Sequence, residues 1–373
     1  MARARRARCG VLILLSGVGV SLSGVALPAP ASATTGASPP ATSVVVARDG
    51  AGWLARQIVA NGGDVASGTP DPTDTAYAVL GLHAAGVGSA ASTMAMSFLQ
   101  TQLGAISSGG SDDPGMLADF ILAAHAAGVD PRHFGGTGAP NNLVARLSAT
   151  SRKTGVDAGL FGSQDPTFDG AFRQGLALAA LNSAGVSVSK TAVANGIAWL
   201  EKQQCSNGLW ESYRSDTATP CPPADPSTFT GPDTNSTSLA VQGLAAYGAH
   251  PKRNKRIAQL HLVQSTDGGF PLVAASGQAS DPDSTALVIQ AIVDDGGDPG
   301  STTWTVSEAT PYSALASFQL RCTAPAADRG AFFFPGSSTP NVIATVQAVP
   351  AAAGKALPIP TSSPSSAEPH VKC

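Results

Sequence analysis

The sequence predicts an all-α fold, an (α/α)6 toroid of about six two-helix repeats, and three observations carry that prediction. First, one short phrase recurs, a Gln, a few polar residues, then a Gly and an aromatic. Its clearest copies run from Leu200-Glu-Lys-Gln203 to Gly208-Leu209-Trp210, from Leu260 and Gln264 to Gly268-Gly269-Phe270, and from Phe318-Gln319 to Gly330-Ala331-Phe332. Weaker copies lie at Trp53-Leu54 to Gln57, at Phe98-Leu99 to Gln102, and from Leu143 to Gly159-Leu160-Phe161. Second, each phrase precedes an Ala/Leu-rich segment ending in Gly: from Asp74 to Gly86, Gly115 to Gly128, Gly170 to Gly185, Ser236 to Gly248, Ser284 to Gly297, and Asn341 to about Gly354. The first five of these glycines are spaced by about 42, 57, 63 and 49 residues, the period of a helix pair with loops of unequal length. Third, the two helices of a pair differ in pattern. Asn254 to Gln264 is amphipathic, with Ile257, Leu260 and Val263 on one face, whereas Asp74 to Gly86 and Asn235 to Gly248 are apolar nearly all round. A helix of the second kind must be covered on every side, so six of them form an inner ring and six amphipathic ones wrap it.

Taken in chain order, residues 1–33 read as a secretory signal. Arg3, Arg5, Arg6 and Arg8 precede an apolar run from Val11 to about Val25, shorter than a membrane span needs, and Ala31-Ser32-Ala33 makes a small-residue cleavage site. Residues 34–48, rich in Ala, Thr, Ser and Pro, read as a flexible linker. The toroid is expected over 49–355, and 356–373 as a Pro/Ser-rich surface tail, pinned only if Cys373 is bridged. Later stretches show no membrane span, so the chain is expected to be exported, extracellular and monomeric. Without its leader the formal charge of −3 becomes about −7, which disfavours nucleic acid as a partner.

Beyond the leader stand Cys205, Cys221, Cys322 and Cys373. Four cysteines allow three pairings. Cys205 with Cys221 is favoured because both flank one Pro-rich loop, which leaves Cys322 for Cys373. No Cys-x-x-Cys or Cys/His spacing suggests a metal, and none is expected.

The Gln to Gly-aromatic phrases resemble the Gln-Trp repeats of the superfamily holding squalene and other terpenoid cyclases and protein prenyltransferase β subunits. Secreted bacterial toroids that bind cobalamin, similar to intrinsic factor, carry like phrases. The resemblance spans nearly the whole mature chain and implies the toroid fold. It does not imply a reaction, because toroids host unrelated functions.

Parallel inner helices gather their N-termini on one face, and here those ends carry Asp71 and Asp74, Asp112 and Asp113, Asp165 and Asp169, Asp233, then Asp281 and Asp283. Such a ring can bind cations, donate a proton or hold a polar ligand. Each Asp can equally serve as a helix cap. The class II cyclases of the resemblance protonate an alkene from an Asp-x-Asp-Asp phrase, and the nearest phrase here, Asp281-Pro-Asp283-Ser284, lacks the final Asp. Aromatics left for a cavity are Tyr77, Phe120, Phe172, Tyr247 and Tyr312. The zinc-holding Asp-x-Cys of the prenyltransferases is absent, and His83 and His125 fall at helix C-termini. Carbohydrate cleavage by paired carboxylates finds only four glutamates, Glu201, Glu211, Glu308 and Glu368, none on an inner helix.

The expectation is therefore a small molecule, apolar or corrinoid-like, bound in the central cleft without an assignable reaction and without a resident cofactor. Asp74, Asp233, Asn235, Gln242, Asp281, Asp283 and Gln290 are the candidate lining, Gln242 and Gln290 because an unpaired amide inside an apolar helix is costly. The alternative is a diverged class II terpenoid cyclase acting on a polyprenyl substrate, with Asp283, aided by Asp281, as proton donor.

Overall fold

The computed structural model describes residues 38–108, 110–162 and 169–373. The signal expected over 1–33 and the acid at Asp165 lie outside the described residues. Among the described residues there are twelve α-helices: α1 (Ala41–Ala60), α2 (Pro72–Ala85), α3 (Ser89–Thr101), α4 (Pro114–Ala126), α5 (Leu143–Ala149), α6 (Ala171–Ser183), α7 (Thr191–Gln203), α8 (Thr234–Ala245), α9 (Arg253–Val263), α10 (Pro282–Asp294), α11 (Pro311–Ser317) and α12 (Val342–Ala352). One two-stranded hairpin, pairing Ser107–Ser108 with Ser111–Asp112, interrupts them.

The even-numbered helices form the inner ring. Each packs on the next, α2 on α4, α4 on α6, and so on to α12, which returns to α2. Their residues are buried on nearly all faces, as the apolar pattern requires. The odd-numbered helices lie outside; α1, for example, packs on α2 and α12.

Local chemistry sets the ends of the inner helices. Asp71, Asp113, Asp233, Asp281 and Asn341 each accept a backbone N–H of the first turn, and Pro72, Pro114 and Pro282 supply a fixed φ at a position whose N–H is not needed. The helices stop at glycines with positive φ at 86, 128, 185, 248 and 354. In the fifth unit the left-handed residue is Gly296, with φ of 73°, and not Gly297.

The recurring phrase is a hydrogen-bonded joint. Gln264 Nε2 donates to Gly268 O (2.8 Å) and to Trp304 O (2.9 Å), and Gln319 Nε2 donates to Gly330 O (3.1 Å) and Val46 O (2.8 Å). In the third clear copy Gln204 takes this role, donating to Gly208 O (2.9 Å) and Pro251 O (3.0 Å), while Gln203 turns to Arg214. Each Gln thus ties its own loop to a neighbouring segment, satisfying carbonyls that no helix can. The aromatic residue is locked from the other side. The backbone N–H groups of Trp210, Phe270 and Phe332 donate to the hydroxyls of Thr237, Thr285 and Thr345, each at 2.9 Å and each four residues after a helix cap.

Two expectations for the chain ends are corrected. Residues 41–48, read as linker, are the first two turns of α1, whose Ser43 donates to Ala352 O (2.8 Å) and whose Val46 and Ala47 are buried. The segment read as a surface tail is in part a plug. Leu357 and Ile359 are 3% and 1% exposed, and Thr361, Ser362 and Ser365 bond the carbonyls that end α2 and α4. The disulfides pair Cys205 with Cys221 and Cys322 with Cys373. No helix among the described residues is long and apolar enough to cross a membrane.

Candidate functional site

Closing a ring of six helices leaves one axial space, and the plug of residues 355–365 occupies the end where α2, α4, α8 and α10 finish. At the opposite end, among the N-terminal turns of α2, α4, α6 and α12, lies a cavity of about 220 Å³. Its apolar wall comes from Met116, Leu176, Ile343 and Val346, with the rings of Tyr77 and Phe172; its polar groups are Asp74, Asp113, Asp119, Arg173 and Gln347. A smaller cavity of about 150 Å³ lies outside the ring between α9 and α10, against Trp304; of its charged members Arg253, Arg256, Asp295 and Asp298, Arg256 and Asp295 are joined by two hydrogen bonds of 2.8 and 2.6 Å. The axial cavity combines apolar walls with two acids, Asp74 and Asp119, one of which has a buried oxygen without a hydrogen-bond partner.

The electrostatics separate those carboxyls into two kinds. Asp113 caps α4 and receives Arg173 Nη1 on both oxygens, at 3.1 and 3.0 Å, and Arg173 is also 3.6 Å from Asp169. That cation is engaged. Asp74 has no such partner: burial, then the adjacent Asp71 carboxylate, push it from 3.8 to about 7, and Asp283 and Asp64 add to the effect. Asp119, 3% exposed, sits on α4 six residues after Asp113, and its Oδ1 is buried without a hydrogen-bond partner. Desolvation raises its proton affinity well above the ordinary carboxyl value. Asp283 is pushed to about 7 by burial and then by Asp281, and its Oδ1 also lacks a partner. Burial thus raises the proton affinity of all three acids, Asp74 and Asp283 to about 7.

Of the seven residues picked out from the sequence, Asp74 lines the cavity and Asp283 lies close enough for its charge to act on Asp74. Asp233 and Asp281 are caps, accepting the N–H of Ser236 (2.6 Å) and Ser284 (2.8 Å); burial raises both, Asp233 to about 6. Asn235 is half-buried beside the Thr234 hydroxyl. Gln242 and Gln290 are not at the mouth. Gln242 Oε1 accepts from Leu357 N (2.9 Å) and Gln290 Nε2 donates to Lys355 O (3.0 Å), so both amides hold the plug at the far end. The same end holds His83, bonded to Ser92 (2.9 Å) and Ser362 (3.1 Å), and Tyr247, whose hydroxyl donates to Val186 O.

Of the candidate aromatics, Tyr77 and Phe172 reach the cavity, whereas Phe120 is fully buried against Phe134. Asp119 escaped the sequence reading, although a signal was present: it is the acid inside the apolar run Leu117-Ala-Asp-Phe-Ile-Leu122. Gln347 and Arg173 escaped it as well.

No family model matches the sequence, and no curated protein matches it. Solved structures do. A protein from Actinoplanes is 18% identical with a TM-score of 0.55, covering 84% of this chain and 99% of its own. The type II terpene cyclase MstE from Scytonema is 12% identical with a TM-score of 0.52, covering 84% and 98%. A polysaccharide lyase is 12% identical with a TM-score of 0.53, covering 84% and 97%. The chain has the α/α-toroid fold that these structures share. Since a cyclase and a lyase share that architecture, it names no reaction.

Proposed function

We propose that the protein is exported and binds a small molecule at the N-terminal mouth of its helical ring. The observation that carries this reading is the axial cavity itself, apolar-walled, lined by the acids Asp74 and Asp119, with the Oδ1 of Asp119 buried and without a partner. Its volume, about 220 Å³, is below the roughly 300–1,000 Å³ of pockets that enclose drug-sized ligands. It suits a small compound, or one end of a larger apolar or corrinoid-like one. Export is supported by the basic, then apolar leader and by two disulfides, which persist in oxidising compartments.

A second reading has a specific observation in its favour. Asp283, protonated up to about pH 7 and with an unpartnered oxygen, has the proton affinity a general acid needs, and a similar fold is seen with geranylgeranyl dihydroxybenzoate, a substrate, in a variant of MstE. A diverged cyclase acting on a polyprenyl compound would protonate its alkene from this carboxyl. Native mass spectra of the exported form, with and without corrinoids and polyprenyl lipids, test both readings. An added or retained intact mass supports binding; a polyprenyl compound returned as a cyclised isomer, with turnover lost in Asp283→Asn, replaces it with catalysis. No retained mass and no turnover would remove both.

A further inference from the structure

The binding reading can be taken a step further, to the chemical class of the ligand, and this inference rests on that reading. The cavity's charges do not balance. Among the described residues lining it, Arg173 is the one cation, and it is held by Asp113 and Asp169. Asp74 and Asp119 face the same space without an ion pair, Arg173 acting on Asp119 only at a distance, and the buried Oδ1 of Asp119 and Oε1 of Gln347 have no donor. A buried acceptor left without a donor costs about 1–3 kcal/mol, so these two oxygens are open to a donor that a ligand brings.

The spacing says what kind of donor fits. Among the described residues, the only His/Cys/Asp/Glu trio whose ligand atoms all come within 4.8 Å of one another is Cys205, Glu211 and Cys221, whose two sulfurs are joined in a disulfide. The axial carboxyls are more dispersed than that, too far apart for three of them to close around one small inorganic ion. An organic ammonium spreads several N–H donors and an apolar body over a larger volume. The wall that faces the acids supplies what such a body needs, the rings of Tyr77 and Phe172 for cation–π contact and Met116, Leu176 and Val346 for its carbons. An anion would meet Asp74 and Asp119, and a neutral apolar molecule would leave the acceptors unpaired.

We propose that the axial cavity is a site for a small organic cation, an alkyl or arylalkyl ammonium whose nitrogen donates to Asp119 and Asp74. Binding would be linked to protons. The groups facing Asp119 are Asp74 and Tyr77 from α2, Asp113 on its own helix, Arg173 from α6 and, near Asp74, Asp283 from α10; α12 contributes Gln347, which does not titrate. A cation beside Asp74 and Asp119 favours their ionised forms, so protons leave as the ligand enters. Affinity should then rise with pH, by up to tenfold per unit for each proton released, the part that comes from Asp74 levelling off above about pH 7.

The test is calorimetric titration of the exported protein with n-butylammonium and phenethylammonium, with n-butanol and calcium chloride as comparison probes. Titrations are run between pH 5.5 and 8, in buffers of different ionisation enthalpy. The expected result is saturable ammonium binding that strengthens with pH, a buffer-dependent heat showing proton release, and at least a tenfold weaker Kd in Asp119→Asn and in Asp74→Asn. An Asp328→Asn control, in the loop between Gln319 and Gly330, should bind like the parent chain. Equal or tighter binding of butanol, calcium binding that excludes the ammonium, no saturable ammonium binding at all, or unchanged affinity in both axial variants would overturn the proposal. Native mass spectra that retain a neutral ligand would leave the cavity as a binding site while ruling out its cationic ligand, so the two failures are distinguishable.

Discussion

At the scale of single residues, the acids of this chain divide by what their oxygens meet. Asp71, Asp113, Asp233 and Asp281 meet backbone N–H groups and cap helices. Asp74 meets none, and its proton affinity makes a prediction about stability. Between about pH 4, where the unfolded chain loses this proton, and about pH 7, where the native state does, the folded protein holds more protons than the unfolded one. Stability from this group is thus fully present below about pH 4 and lost as pH rises to 7. Asp74→Asn removes the penalty: the variant should match the parent near pH 4 and exceed it at pH 8 by a few kcal/mol, at about 1.4 kcal/mol for each tenfold change in proton affinity. Urea titrations at the two pH values check this, and a parent at least as stable at pH 8 would contradict it. Capping was legible only as one of two roles open to each Asp, and Asp233 and Asp281, chosen as cavity lining, cap helices instead. Asp119 was not picked out because a lone acid in an apolar helix signals burial without telling which space it faces. Gln242 and Gln290 were visible as odd polar residues inside helices, but their partners, the main chain of 355 and 357, are more than sixty residues away in sequence.

At the scale of elements, the inner ring is built from small residues because its helices approach closely. The tightest contact joins α6 to α8. A Cβ on Gly175 would overlap the Leu239 carbonyl, and one on Gly243 would overlap Gly175 itself. Gly175→Ala should therefore cost about 1–3 kcal/mol, the usual range for an overpacked interior, despite alanine's better helix propensity. Thermal melts check the sign: a more stable variant would mean the two helices can part without loss. Helix existence was legible throughout, since Ala/Leu runs between an Asp cap and a Gly leave little choice. Boundaries were less so. The run 41–48 looks like linker by composition, and only its contacts with α12, through Ser43 and Val46, make it worth folding. The role of Gln204 in place of Gln203 is likewise invisible in one dimension, because adjacent glutamines differ only in which side of the helix end they face.

At the scale of the molecule, the ring has one open end, and the plug explains why. Parallel inner helices leave their last carbonyls together at one face, and these groups must be paired. Residues 355–365 pair several of them with hydroxyls and N–H groups while burying Leu357 and Ile359 along the axis. Beyond them the chain runs past α1, where Arg56 donates to Pro369 O (3.1 Å), and ends at Cys373, joined to Cys322. The bridge closes a loop of sequence separation 51, which in the chain-entropy picture is worth about 4 kcal/mol. It also keeps the plug in place, since the segment has no helix or sheet of its own to hold it. Cys322→Ser with Cys373→Ser should lower stability by roughly that amount and, before global unfolding, speed amide exchange at Leu357 and Ser365 and in the last turns of α2 and α4. The N-terminal turns of α2 and α4, at the cavity, should stay protected, because their caps are independent of the plug. Equal loss of protection at both ends would mean that the ring opens as one unit, and the plug would then be a consequence of the closed ring and no longer its closure.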